Sequence, residues 1–146
     1  MEQNRKHLKI SSWIILLFAA LTFVQLLSEL AWGEINHAVI PDGAPENVVD
    51  IAKIFISVVT LLCLIPEVYV GIKGLRVAKN PNSSKAHIIV AIVIFVFTLI
   101  SLVSPVIRFF GGEDTRDNIS TVFSLLLNAS IYFDYIKYAR LVAKEN

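Results

Sequence analysis

The chain has 146 residues, of which 55% are apolar and 17% charged, with a formal net charge of +1. A soluble domain averages roughly 25% charged residues, so this balance excludes disordered, collagen-like and disulfide-scaffold classes. Near-neutral charge argues against a nucleic-acid partner, and the single cysteine, Cys63, permits neither an intrachain disulfide nor a multi-cysteine metal site.

Apolar residues gather in four long runs. Residues 10–30 carry one charge, Glu29, at the far end. Residues 51–70 carry Lys53 at the start and Glu67 near the end. Residues 88–107 carry no charge, and residues 119–136 carry only Asp134. About 20 helical residues, at about 1.5 Å each, cross a hydrocarbon core of about 30 Å. Backbone groups in lipid must bond internally, so each run is predicted to be helical despite its Val, Ile and Phe content. The expected spans are about 10–32, 50–72, 87–109 and 118–140. The competing reading, a soluble helical bundle, needs a charged outer face on each helix, and the third run has none. The first run is too long for the apolar stretch of a signal peptide, and no small-residue cleavage site follows it, so it is expected to be retained.

Polar and small residues recur along each run at helical spacing. The first has Thr22, Gln25, Glu29 and Trp32; the second has Thr60, Cys63, Glu67, Gly71 and Gly74. The third has Thr98, Ser101, Pro105 and Arg108; the fourth has Ser120, Ser124, Asn128, Tyr132 and Tyr135. Lipid does not satisfy such groups, so the stripes are expected to face one another. They would form either a packed polar core or a polar cavity. Gln25, Glu29, Glu67, Arg108, Asn128 and Asp134 are its candidate functional members. Glu29 and Arg108, at similar depth near one membrane face, are expected to pair or to reach interfacial water. Glu67 and Asp134 lie about 9 Å from the midplane toward the other face. They could share a proton, or be neutralised by Lys73 and Lys137. Trp13 and Trp32 read as interfacial anchors, and Tyr132, Tyr135 and Tyr138 as belt aromatics.

The connections are short. Pro41-Asp42-Gly43 and Asn80-Pro81-Asn82-Ser83-Ser84 are turn signals, and Gly111-Gly112 should end the third helix. Asn118-Ile119-Ser120 fits a glycosylation triplet, but too near the membrane to weigh. Ten basic residues fall on the tails and the middle connection, against three (Lys53, Arg108, Arg116) on the opposite side. That asymmetry predicts both termini in the cytoplasm of a cell (inner) membrane. The two halves also look alike. Lys73, Arg76 and Lys79 match Lys137, Arg140 and Lys144 with one extra residue, and Thr22 and Ser28 match Thr98 and Ser104 at an offset of 76. Either a two-helix hairpin is duplicated in tandem, or membrane helices converged on few residue types.

The segment Tyr69-Val70-Gly71-Ile72-Lys73-Gly74-Leu75-Arg76-Val77-Ala78-Lys79-Asn80-Pro81, followed by polar residues and a new apolar helix, resembles a group of small four-span bacterial membrane proteins. In these a glycine-rich helix end meets a Gly-x-(Arg/Lys)-x-Ala-Lys-Asn-Pro loop. The likeness covers about the middle half of the chain. It implies a four-span topology and a bacterial setting, and assigns no chemistry to Glu29, Glu67 or Asp134.

The sequence thus predicts an all-α, four-span, up-down bundle forming a single domain in the lipid bilayer. No catalytic constellation, phosphate loop, haem ligand pair or metal spacing occurs, so no cofactor and no enzymatic role are expected. The expected role is self-association or service as an accessory subunit of a larger membrane partner. The alternative is a small oligomeric transporter or channel using Glu67 and Asp134, and an intramembrane lipid enzyme ranks third.

Overall fold

A computed structural model describes residues 2–32, 45–81, 85–111 and 115–144, and of Trp32, Glu46 and residues 115–118 the backbone alone. It contains four helices: α1 (Glu2–Trp32), α2 (Glu46–Lys79), α3 (Ala86–Phe110) and α4 (Thr115–Lys144). Each is long and apolar enough to cross a membrane, so the chain is a multi-pass helical membrane protein. The helices outrun the expected spans, most clearly α2, which passes Gly74 and ends at Lys79. The stop has a local cause. Asn80 precedes Pro81, whose ring disfavours helical backbone in the residue before it, and Asn80 is extended at φ −131°, ψ 96°. Its N–H still bonds the Arg76 carbonyl at 2.8 Å.

At the other end of the molecule Pro45 opens α2, its carbonyl accepting from the Val48 and Val49 N–H groups at 2.9 and 3.1 Å. Gly111 closes α3, as the sequence suggested, but with φ −76°, so the left-handed freedom of glycine is not used there. Gly112, the Pro41-Asp42-Gly43 turn, residues 82–84 and the side chains of Trp32 and Asn118 lie outside the described residues.

The helices alternate in direction. Leu8 near the start of α1, Val77 near the end of α2, Ile88 near the start of α3 and Val142 near the end of α4 share one cluster. The closest packing is between α1 and α2 and between α3 and α4, the two sequence hairpins. α1 also packs on α4, and His7 stacks on Tyr138 with ring centroids 4.6 Å apart. The α2–α3 contact is thinner, α2 touches α4 across the diagonal, and α1 and α3 make no contact among the described residues.

The core is not spread evenly along the bundle. The end that carries both termini, here the basic end, buries Leu8, Ser12, Ile15, Val70, Val77, His87, Ala91, Tyr132, Tyr135, Ala139 and Val142. Toward the opposite, far end the same helices present Phe23, Ile54, Phe55, Val58, Phe123 and Phe110 outward, with Phe55 and Phe123 each 68% exposed. Leucine gains little by leaving lipid for another leucine, so packing within a bilayer depends on close backbone approach and shape. The basic end supplies small residues for it: Ala19, Gly71, Gly74, Ala91, Ala129 and Ala139 are all buried.

Candidate functional site

The tightest point of the bundle is where α1, α2 and α4 meet. A Cβ added to Gly74 would overlap Ser12 Oγ and would stand 2.6 Å from Tyr135 Cε2 and 2.8 Å from the Tyr135 hydroxyl oxygen. One added to Gly71 would stand 2.6 Å from Leu16 Cγ. A side chain at Gly74 would have to displace both Ser12 and the Tyr135 ring, and one at Gly71 the Leu16 side chain. The Tyr135 hydroxyl passes Gly74 and donates to the Val70 carbonyl of α2 at 3.0 Å, a buried bond between helices. The Ser12 hydroxyl turns back to its own helix, donating to the Leu8 carbonyl at 2.7 Å. The His87 ring meets Tyr135 edge-on at 6.1 Å.

Next to this junction the thin α2–α3 contact leaves a cavity of about 580 Å³. Its α2 wall includes Leu62, Cys63, Pro66 and Glu67; α3 supplies a longer apolar wall with Val93, Phe97, Thr98 and Ser101; Leu125 of α4 closes the back. Glu67 is half-buried and is the only charged residue of the lining among the described residues. No hydrogen bond or ion pair within the described residues reaches its carboxylate. The Tyr132 hydroxyl is buried, has no hydrogen-bond partner among the described residues, and lies within electrostatic reach of Glu67.

Two prolines interrupt the helices that wall this cavity. Pro66 lies within α2 and Pro105 within α3. Each lacks the N–H that would bond the carbonyl four residues earlier. Those carbonyls belong to Leu62 and Ser101, and both residues line the cavity.

The other candidate residues fall elsewhere. Gln25 Nε2 donates to Glu29 Oε1 at 2.9 Å, one turn apart on α1. Arg108 is exposed at the far end of α3. Because α1 and α3 do not touch, Glu29 and Arg108 are not brought together, and the expected pairing is replaced by the Gln25–Glu29 bond. Asn128 is half-buried on α4. Asp134 is exposed, on the face of α4 turned away from Tyr132 and Tyr135, so it does not share a site with Glu67.

Neither acid is neutralised as the spacing suggested. The Lys73 ammonium sits 5.9 Å from the centroid of the Tyr69 ring, and the Lys137 ammonium 5.4 Å from that of Tyr138. An aromatic face attracts a cation and needs no desolvated carboxylate beside it.

The expectation that polar stripes face one another holds in part: Gly71, Gly74, Thr98, Tyr132 and Tyr135 are buried, while Thr22, Gln25, Ser101, Arg108, Ser120 and Ser124 are exposed, and the hydroxyls give a physical reason. Thr22, Ser28, Thr60, Thr98 and Ser130 each donate to the carbonyl four residues earlier in their own helix, at 2.8–3.0 Å. A hydroxyl satisfied in this way needs no neighbouring helix. Of these five only Thr98 is buried. The stripe reading did place Tyr132 and Tyr135 on one inward face, but the belt role expected for them is wrong, since both are core residues. The signal that finds them is the apolar sequence Ala129, Tyr132, Ile136, Ala139 at steps of three, four and three, continued by Tyr135 and Val142 at a step of seven.

No family model matches the chain, and neither curated proteins nor solved structures give a match.

Proposed function

We propose that the chain works by association inside the bilayer, with a second copy of itself or as an accessory subunit of a larger membrane complex, and catalyses no reaction. It belongs on this reading to a bacterial cell (inner) membrane, with the basic end, and so both termini, in the cytoplasm. The resemblance of its Tyr69–Pro81 segment to small four-span bacterial proteins supports that setting.

Asp134 carries the proposal. It is exposed on α4 at a depth about 6 Å inside the hydrocarbon boundary, with no hydrogen bond or ion pair within the described residues. An ionisable group so placed is costly in lipid, and a polar or basic group on an adjoining helix relieves that cost. The test is a native gel and cross-linking of the chain from its own membranes, beside Asp134→Leu. The expected result is an oligomer, or a stoichiometric complex, that Asp134→Leu dissolves into folded monomers. A native chain that runs as a monomer free of any stoichiometric partner overturns the reading.

The alternative, a small oligomeric transporter or channel using Glu67 and Asp134, draws support from the cavity at Glu67. It requires the pathway to be assembled between copies, because the two acids of one chain face apart. Equal proton flux through liposomes bearing the native chain and Glu67→Gln would remove it.

A further inference from the structure

The α2–α3 cavity has the size of a small-molecule site, which runs to roughly 300–1,000 Å³. Its chemistry is lopsided. The walls are mostly aliphatic and aromatic, from Leu62, Val93, Phe97 and Leu125. The cavity's only charge among the described residues is negative; the Ser101 hydroxyl and the Cys63 thiol can donate or accept and set no sign. Glu67 supplies a carboxylate without an ion-pair partner, and Leu62 and Ser101 supply the two carbonyls that Pro66 and Pro105 leave without helical donors. The Thr98 hydroxyl spends its hydrogen on the Ile94 carbonyl and so offers only lone pairs. Among the described residues no cationic side chain lines the space, and the nearest lysine along α2, Lys73, is held over Tyr69. An acyl chain would fit the walls but leave the carboxylate unanswered.

We infer that the α2–α3 cavity is a binding site for a lipophilic cation, an aromatic or branched apolar body with one delocalised positive charge, held by Glu67. Phe97 offers a ring face and the aliphatic walls offer contact area, while the carboxylate and freed carbonyls select the sign of the charge. Entry is from the bilayer, where such cations already concentrate. The site lies within one chain and does not depend on the association proposed above.

Equilibrium dialysis of the purified full-length chain in detergent tests this, with tetraphenylphosphonium as probe and empty micelles as blank. Tetraphenylborate, of the same shape and opposite charge, is the control. The native chain should bind tetraphenylphosphonium saturably, and tetraphenylborate should neither bind saturably nor compete. Glu67→Gln should weaken binding about tenfold or more, because it removes a charge partner from an apolar site. Val93→Trp, which narrows the cavity from the α3 wall and keeps the carboxylate, should do the same, and it decides the matter if Glu67→Gln fails to fold. Absence of saturable binding by the native chain overturns the inference. So does unchanged affinity in either folded variant, or equal competition by tetraphenylborate, which would mark a groove open to any lipophile. Monomeric behaviour of the chain would leave this result untouched while removing the association proposal, so the two failures are separable.

Discussion

At the basic end of the bundle, helix backbones approach so closely that a Cβ at Gly71 or Gly74 would have to displace neighbouring side chains, and Tyr135 reaches across to the Val70 carbonyl. At the far end, the same four helices turn Phe23, Ile54, Phe55, Phe110 and Phe123 outward. Both halves are strongly apolar. The difference lies in residue size and in where the polar groups spend their hydrogen bonds. Buried Gly, Ala and Ser at the basic end let helices touch. The far-end hydroxyls of Thr22, Ser28 and Thr60 bond back to their own helices and hold nothing together. In water, burial of apolar area would have packed both halves. In lipid, only the half with complementary shapes is packed.

That contrast makes quantitative demands, and the strongest falls on Gly74. Gly74→Leu must displace Ser12 and Tyr135 together, and overpacking of this kind costs about 3 kcal/mol or more. It should abolish a monodisperse peak in fluorescence-detected gel filtration. Gly111→Ala at the far end, in right-handed backbone, should change thermal stability by less than about 0.5 kcal/mol. An equal loss from both would mean that the far half is packed as tightly as the near one.

Tyr135→Phe comes next. It removes the α4–α2 hydrogen bond and should cost about 1 kcal/mol, within the range measured between membrane helices. Tyr132→Phe removes a buried hydroxyl that has no partner among the described residues and should be neutral or slightly stabilising. Thermal melts of the two variants, run side by side, separate a bonded tyrosine from a merely buried one. A reversed order would mean that the Tyr132 hydroxyl holds the partner.

The smallest expected effect is at Phe55. Phe55→Ala removes a ring that is 68% exposed to lipid, and monomer stability should move by less than about 0.5 kcal/mol. A loss of cross-linked oligomer with monomer stability unchanged would mark the far half of α2 as a surface used between molecules.

Several features could be read from residue order because lipid imposes them locally. The number of helices, their approximate limits and their alternation follow from four apolar runs of membrane length and short connections. The stripe on the second run put Gly71 and Gly74 on one inward face, and Asn80-Pro81 announced a turn. Side-chain partners could not be read in the same way. The spacing of Glu29 and Arg108 gave them equal depth, but pairing also requires adjacent helices, and α1 and α3 lie across the diagonal. Glu67 and Asp134 likewise share a depth, while the rotation of α4 that buries Tyr132 and Tyr135 turns Asp134 outward.

What the order of residues determined, therefore, is whatever a helix and a bilayer settle between themselves: span, direction, the excess of basic residues at one end and the hydroxyls that bond within their own turn. Which helices are neighbours, how each is rotated, and that Glu67 faces a cavity while Asp134 is exposed were decided by tertiary packing. Depth is a property of one helix. Azimuth and adjacency belong to the set of four, because they depend on which small residues allow which backbones to meet.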